Sequence, residues 1–158
     1  SKGVKREIRR SILIRLMQEK DVDIAAEIWL DTNIAAHSFI NSAYWSDHFE
    51  MVKKMLPQAE VYVYEDNKEI RGFIGLNENY IEGLFVCREF QSHSIGKQLI
   101  DFAKTVRREL ILRVYRKNTR AVKFYQREQF EIIQTGIDED TNEEEYSMLW
   151  KDIKTEVL

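Results

Sequence analysis

The chain has 158 residues, of which 44% are hydrophobic and 11% are aromatic, and its formal net charge is −3. This length and apolar content suit one globular domain that buries about two-thirds of the surface that its unfolded chain exposes. The slightly acidic balance argues against a nucleic-acid-binding surface, and no apolar run approaches the ~20 residues of a membrane span.

The organisation along the chain is simple. Residues 1–10 are basic but lack the apolar core of a signal peptide, so we expect a flexible N-terminal arm. No repeat, low-complexity tract or linker interrupts residues 11–158, which we expect to form a single domain. The single cysteine, Cys87, cannot form an internal disulfide, which suits a reducing cytoplasm.

The first part of the domain is predicted to hold one strand and two helices. Residues 12–17 have the composition of a strand, and Asp21 is a plausible N-cap for the helix that follows. A less regular stretch over residues 36–45 precedes a second helix, roughly residues 46–56, which Pro57 ends.

A β-hairpin and a strand–helix–strand unit are predicted next. Residues 61–64 and 70–76 flank a polar turn, which is the pattern of a hairpin. The strand at residues 81–86 leads into an amphipathic helix over residues 94–107, and residues 110–114 form the next strand.

The C-terminal part is predicted to continue with a helix and two strands. The helix covers residues 118–128 and the strands cover residues 130–135 and 146–151, with the acidic residues 138–145 forming a solvated loop between the strands. Helix pairs, a hairpin and a βαβ crossover together predict a mixed α/β fold with helices on the faces of the sheet.

The segment from Gln91 to Lys97 carries the first chemical signal. Small residues between a strand and a helix N-terminus leave backbone N–H groups free, and the helix dipole adds positive potential there. Such a turn attracts a phosphate or pyrophosphate, and Lys97 adds a positive charge in the first helical turn.

Two blocks of residues resemble signatures of the GNAT superfamily of N-acetyltransferases. The superfamily's central signature, Q/R-x-x-G-x-G/A after a strand, corresponds here to Gln91, Ser94 and Gly96. Its later block, N-x-x-A-x-x-F-Y-x-x-x-G-F, corresponds to Asn118, Ala121, Phe124, Tyr125, Gln129 and Phe130. Order and spacing match, and the resemblance, which covers nearly the whole chain, is to a small bacterial-type single-domain member.

The resemblance implies a mostly antiparallel sheet with one splayed pair of parallel strands. An extended ligand that carries amides can fill such a gap as a surrogate strand, and coenzyme A, with two amides and a pyrophosphate, fits this description. The implied pantetheine site is the strand edge Leu84, Phe85 and Val86, and the implied pyrophosphate site is Gln91, Ser92, His93, Ser94, Ile95, Gly96 and Lys97.

Three further residues are candidates for chemistry at the coenzyme. The resemblance places the Tyr125 hydroxyl near the coenzyme sulfur, where a phenol can protonate a thiolate; the alternative is a tyrosine that only packs its helix. Asn118 is a good N-cap for that helix, and the matching residue of the family also contacts the coenzyme arm. Glu82 could deprotonate the amine directly or through water, or could be an exposed strand residue.

The acceptor site is expected between the first two helices and the thioester. In the family this region closes over the acceptor, so His37, Tyr44 and Trp45 are predicted to line its pocket. His37 could act as a base or a hydrogen-bonding anchor, or could simply pack against aromatic residues. Three histidines and one cysteine without ligand spacing predict no metal site.

Three positions depart from the family pattern. Ser92, Ser94 and Gln129 stand where glycine is usual. A serine Cβ restricts the left-handed conformations that glycine permits but leaves helical and β conformations open, and Gln129 is expected at a helix C-terminus at a cost near one kcal/mol. These substitutions should not abolish coenzyme binding.

The sequence thus predicts an acetyl-CoA-dependent N-acetyltransferase that acetylates a primary amine, in a small molecule or a peptide, by direct attack in a ternary complex. One alternative is a degenerate GNAT domain that binds acyl-CoA in a regulatory or scaffolding role. Another is an unrelated nucleotide-binding α/β module, against which the Phe124–Tyr125 block argues. We expect a cytoplasmic monomer or homodimer that binds neither nucleic acid nor membrane.

Overall fold

The sheet dominates the computed structural model, which describes residues 11–153. Within that range its seven strands have the order β1-β2-β3-β4-β5-β7-β6. The strands are β1 (Ile12–Leu16), β2 (Glu60–Asp66), β3 (Glu69–Asn77), β4 (Tyr80–Val86), β5 (Glu109–Tyr115), β6 (Glu131–Asp138) and β7 (Glu143–Lys151). The helices are α1 (Val22–Ala36), α2 (Ser42–Met55), α3 (Ile95–Val106) and α4 (Thr119–Arg127). The arm predicted over residues 1–10 lies outside the described residues.

One strand pair is parallel, and it separates almost at once. β4 and β5 are paired only where Tyr80 lies beside Ile111, whereas the other neighbouring strands pair antiparallel along most of their length. On the other side of β4, Gly83 pairs with Gly75 and Ile81 with Leu76, so Glu82 is the extra residue of a β-bulge. A bulge bends its strand, which helps β4 to turn away from β5. The predicted mixed sheet with a splayed parallel pair is confirmed.

Helices cover both faces of the sheet around two apolar clusters. On one face α3 and α4 pack on the central strands around the fully buried Leu99, Ile100, Leu110 and Phe130. On the other face α1 and α2 pack on β2 and β3 around Ala25, Ala26, Val63 and Phe73. On this second face α1 packs against β3 and β4, and neither helix packs closely on β5, so room is left beside β5 for a cleft.

The helix α2 starts earlier than its sequence pattern indicated. Asn41 is its N-cap, and the Asn41 side chain accepts a hydrogen bond of 2.9 Å from the Ala43 backbone N–H. The prediction of an irregular stretch up to residue 45 was therefore wrong, because the capping asparagine was overlooked in favour of the later apolar periodicity.

Two other local predictions differ from the structure. Asp21 occupies the N-cap position of α1 but makes no cap hydrogen bond; instead its carboxylate pairs with Arg15 at 2.7 Å and accepts from the Gln18 backbone N–H at 2.8 Å. The acidic run was predicted as a loop to residue 145, but β7 already begins at Glu143. Pairing of β7 with β5 and β6 overrides the low strand propensity of consecutive glutamates.

Candidate active site

A cleft of about 890 Å³ opens where β4 and β5 separate. It runs from the C-terminal end of α1, past β4, to the first turns of α3 and α4. Twelve of the residues singled out in the sequence line it: His37, Leu84, Phe85, Val86, Gln91, Ser92, Ser94, Ile95, Gly96, Lys97, Asn118 and Tyr125. The tertiary structure therefore brings together segments that are more than 80 residues apart in the chain.

Four singled-out residues do not line the cleft. His93 is exposed, with its ring edge-on to Phe90 at 6.0 Å. Glu82 is exposed at the β4 bulge, where its carboxylate accepts a long hydrogen bond of 3.4 Å from the Asn77 amide. Tyr44 and Trp45 lie behind His37 on α2, in a second layer of the wall.

The turn before α3 has the backbone conformation of an anion-binding nest, a short run of residues whose N–H groups point toward one anion. We use the word nest for residues 91–97. Ser92 and Ser94 adopt left-handed conformations, with φ of 73° and 66°. The serine Cβ was expected to restrict left-handed conformations and to leave helical and β conformations open. The structure nevertheless has φ > 0 at both serines, because a nest needs left-handed residues to aim successive N–H groups at one point. Each costs roughly 1–2 kcal/mol for a residue with a Cβ. The amides of Ile95, Gly96 and Lys97 begin α3 and have no acceptor within the helix.

Gln129 shows the same conformation at the end of α4, as expected. Its φ is 73°, and the next residue, Phe130, donates its backbone N–H to the Tyr125 carbonyl at 2.9 Å. This is the hydrogen bond of a helix end that normally uses glycine. Gln129 thereby turns the chain so that Phe130 enters the core beneath α4.

Arg120 joins the nest to α4 and was missed in the sequence. Its guanidinium donates to the Gln91 side-chain oxygen at 3.0 Å and to the Ser92 hydroxyl at 3.4 Å. The side chain lines the cleft, so it places a delocalised positive charge beside the exposed amides. The sequence did show that Arg120 lies in the first turn of the helix that follows Asn118, and this position could have drawn attention to it.

Lys97 lines the cleft but has anionic partners of its own. Its ammonium lies 2.9 Å from the carboxylate of Glu128 and 3.6 Å from that of Asp101. Because these partners offset much of its charge, Arg120 is the stronger source of positive potential at the nest.

Tyr125 lies at the inner end of the cleft. Only 8% of its surface is exposed, and its ring packs edge-on against Phe124 and Phe130 at 5.2 and 5.6 Å. Burial raises the pKa of its phenol above the ordinary value near 10. The hydroxyl lines the cleft and makes no hydrogen bond to another residue within 11–153, so it is free to donate to a ligand.

Asn118 and His37 meet at the opposite wall. The Asn118 side-chain oxygen accepts from the Ala121 N–H at 3.3 Å and so caps α4, while its amide nitrogen lies 3.3 Å from His37 Nε2. His37 Nδ1 lies 2.9 Å from the Asn33 carbonyl oxygen. Burial lowers the pKa of His37, so its imidazole is neutral at pH 7.

An aromatic wall surrounds His37 on the acceptor side. Its ring stacks on Trp45 with centroids 5.2 Å apart and meets Tyr115 edge-on at the same separation. The Tyr115 hydroxyl donates to Asp138 at 2.6 Å, and burial together with Asp138 and Asp140 raises the pKa of Tyr44. Tyr115 and Asp138 were not singled out in the sequence: Tyr115 follows the strand predicted over residues 110–114, and Asp138 begins the run that was predicted as a solvated loop, whereas the structure places both at strand ends.

Two kinds of feature are absent from the part of the chain that the structure describes, residues 11–153. Residues 11–153 contain no group of three or more His, Cys, Asp or Glu side chains that could hold a metal ion. No helix within the same range is long and apolar enough to cross a membrane.

A mixed sheet with one splayed parallel strand pair and a cleft between those strands defines the class of fold, and comparisons with known proteins identify its family. The family model described as an acetyltransferase (GNAT) domain matches residues 57–132. The chain is 29% identical over 145 residues to the peptidyl-lysine N-acetyltransferase YiaC of Escherichia coli, covering 90% of this chain and 99% of that protein. It is 31% identical over 122 residues to the peptidyl-lysine N-acetyltransferase YjaB of Salmonella typhimurium, covering 77% and 84% respectively.

Solved structures show the same fold. Apo YjaB from Escherichia coli superposes with a TM-score of 0.81 at 22% identity, covering 89% of this chain and 97% of that one. The PaiA N-acetyltransferase from Thermoplasma acidophilum in complex with coenzyme A gives a TM-score of 0.77 at 20% identity, covering 89% and 99%. The chain belongs to the GNAT superfamily and is an acetyltransferase that uses acetyl-CoA.

Proposed function

We propose that this enzyme transfers the acetyl group of acetyl-CoA to the side-chain amine of a lysine in a peptide or protein. The observation that carries the proposal is the cleft between β4 and β5, which joins an anion-binding turn at one end to a buried, unpartnered tyrosine hydroxyl at the other. The names of the two relatives support a peptidyl-lysine acceptor.

The match between the chemistry of coenzyme A and the cleft supports one position for the coenzyme. Its pyrophosphate takes the free amides at the start of α3, with Arg120 as the neighbouring cation. Its pantetheine amides pair with the β4 edge from Leu84 to Val86, in the gap that β5 leaves open. This placement brings the thioester toward Tyr125 and Asn118.

Transfer proceeds by direct attack in a ternary complex. The neutral amine nitrogen forms a bond to the thioester carbonyl carbon, and the negative charge on the carbonyl oxygen is stabilised by N–H donors of β4. When the C–S bond breaks, the Tyr125 hydroxyl gives its proton to the departing thiolate. Burial keeps the Tyr125 phenol protonated at neutral pH. The same apolar surroundings raise the basicity of the thiolate, which favours transfer of the proton to sulfur.

The proton that the attacking amine loses needs a separate acceptor. Glu82 is the candidate base; from its exposed position on the β4 bulge it would act through water. His37 is less suited to this task, because both of its ring nitrogens already lie within hydrogen-bonding distance of Asn33 and Asn118.

The proposal is tested by supplying acetyl-CoA with a panel of acceptors. Lysine-containing peptides with blocked N-termini should show an added acetyl group by mass spectrometry, with stoichiometric release of coenzyme A. Peptides with arginine in place of that lysine are the control. Turnover of polyamines or of peptide N-termini but not of lysine would overturn the acceptor class, and coenzyme binding without any turnover would favour a non-catalytic role. A cytoplasmic location and a monomeric or homodimeric state stay predictions.

A further inference from the structure

His37 connects four elements at one wall of the cleft. Its ring stacks on Trp45 of α2, with an interplanar angle of 27°, and touches Tyr115 of β5. Its two nitrogens reach Asn33 on α1 and Asn118 at the start of α4. One side chain thus joins the helices of the acceptor side to the helix that carries Tyr125.

The hydrogen-bond partners fix where the imidazole proton lies. The Asn118 oxygen is used by the Ala121 N–H, so the amide nitrogen, which can only donate, faces His37 Nε2. The Asn33 carbonyl can only accept, so Nδ1 carries the proton. His37 is therefore a neutral imidazole that donates from Nδ1 and accepts at Nε2.

We propose that His37 is a positioning residue for coenzyme binding: its Nε2 acceptor holds the Asn118 amide in the one orientation that caps α4 and faces the coenzyme arm. The proposal rests on the placement of that arm against Asn118. Without the acceptor, the amide can rotate and withdraw its oxygen from the Ala121 N–H, which loosens the first turn of α4. Coenzyme affinity then falls, although His37 itself does not need to touch the coenzyme.

Protonation of His37 has the same effect as removing the acceptor. Protonated Nε2 becomes a donor that faces the donors of Asn118 only 3.3 Å away. Because burial lowers the pKa of His37, coenzyme binding is intact at pH 7 and weakens as the pH falls through that lowered pKa.

Within the described part of the chain, few titratable or charged groups lie around His37. β5 contributes Tyr115, which stays neutral because burial and Asp138 raise its pKa. The turn before α4 contributes Lys117, whose ammonium lies 5.6 Å from the centre of the Phe39 ring and 3.1 Å from Glu143. From α1 and α2 the ring meets Asn33 and Trp45, which do not titrate.

The experiment measures the dissociation constant of coenzyme A by calorimetry between about pH 5 and pH 8. His37→Phe keeps a ring but has no acceptor, and should bind about 2- to 12-fold more weakly than wild type at pH 8, the size of one neutral hydrogen bond. His37→Gln offers an amide oxygen in place of Nε2; it should bind like wild type at pH 8 and should not weaken at low pH. His48→Gln on α2, outside the cleft, is the matched control and should follow the wild-type pH profile.

The outcomes separate this inference from the proposed function. Equal affinity of His37→Phe and wild type at every pH would overturn the positioning role while leaving the coenzyme site intact. Failure of wild type to bind coenzyme A at any pH would instead remove the cleft as the coenzyme site. If His37→Phe does not fold, the nitrogen NMR shifts of His37 in wild-type protein still decide, because a proton on Nε2 rather than Nδ1 contradicts the proposal.

Discussion

The two ends of the cleft differ in the groups that line them: mainly backbone amides at one end and side chains at the other. The nest end consists of exposed backbone amides, left-handed serines and the surface residue Arg120. The tyrosine end consists of the buried Tyr125 and the half-buried Asn118 and His37, held by packing and by single hydrogen bonds. Changes at the nest should therefore alter coenzyme binding, whereas loss of the Tyr125 hydroxyl should alter the chemical step.

The largest expected effect is at Tyr125. Replacing Tyr125 by Phe should lower kcat by about 10²- to 10⁴-fold, the usual contribution of a positioned acid. Coenzyme affinity should change little, because the ring packing remains. Steady-state kinetics with thermal melts measures both quantities. Tyr62, whose hydroxyl donates to Glu60 and which lies outside the cleft, provides the matched Tyr→Phe control. Wild-type kcat in Tyr125→Phe would assign this residue a packing role only.

The second-largest expected effect is weaker coenzyme binding on substitution of Gly96, which lies where the nest meets α4. A Cβ there would lie 3.4 Å from the Phe124 ring, and the carboxylate of Gly96→Asp would stand where the pyrophosphate approaches. Repulsion of about 1–4 kcal/mol should weaken coenzyme binding roughly 5-fold to several-hundred-fold. Calorimetry checks the affinity, and Gly96→Ala separates the crowding of Phe124 from the charge. Gly136→Asp is the control, because nothing lies within 4 Å of a Cβ at Gly136. Normal binding by Gly96→Asp would place the pyrophosphate elsewhere.

A smaller effect is expected at Arg120. Arg120→Ala removes an exposed cation and its hydrogen bonds to Gln91 and Ser92, so coenzyme affinity should fall about 2- to 5-fold while kcat is unchanged. The loss should shrink at high ionic strength, because salt screens exposed charges. Arg116→Ala, which breaks a surface pair with Glu144, is the comparison variant. A lowered kcat with unchanged affinity would contradict the division between the two ends.

The smallest effect concerns stability rather than function. Ser94 has φ of 66° and makes no side-chain cap hydrogen bond, so Ser94→Gly should raise the free energy of unfolding by about 0.5–1 kcal/mol. Ser46→Gly, inside α2 with ordinary helical geometry, should lower it by a similar amount. Denaturant titrations of the two variants measure the change in the free energy of unfolding, which should be positive for Ser94→Gly and negative for Ser46→Gly. Destabilisation by both would mean that the Ser94 side chain contributes more than its strain costs.

Much of the fold was predictable because its signals are local. The hairpin of β2 and β3, the amphipathic α3 and the Asn118 cap of α4 each depend on residues within one turn or one strand of each other. At α2 a local signal gave the wrong start: the apolar periodicity predicted a helix from residue 46, whereas the capping Asn41 starts it at Ser42. Strand pairing overrode local propensity at Glu143.

By itself, the sequence determined the order of the elements, the residues of the nest and the position of Tyr125, because a resemblance in spacing reports residues that lie near one another along the chain. Only the tertiary structure decided which distant side chains meet. Arg120 reaches residues 29 and 28 positions away, and His37 meets Asn118 across 81 positions. Such contacts follow from how the strands are ordered and where β4 leaves β5, and no local pattern of residues encodes that geometry.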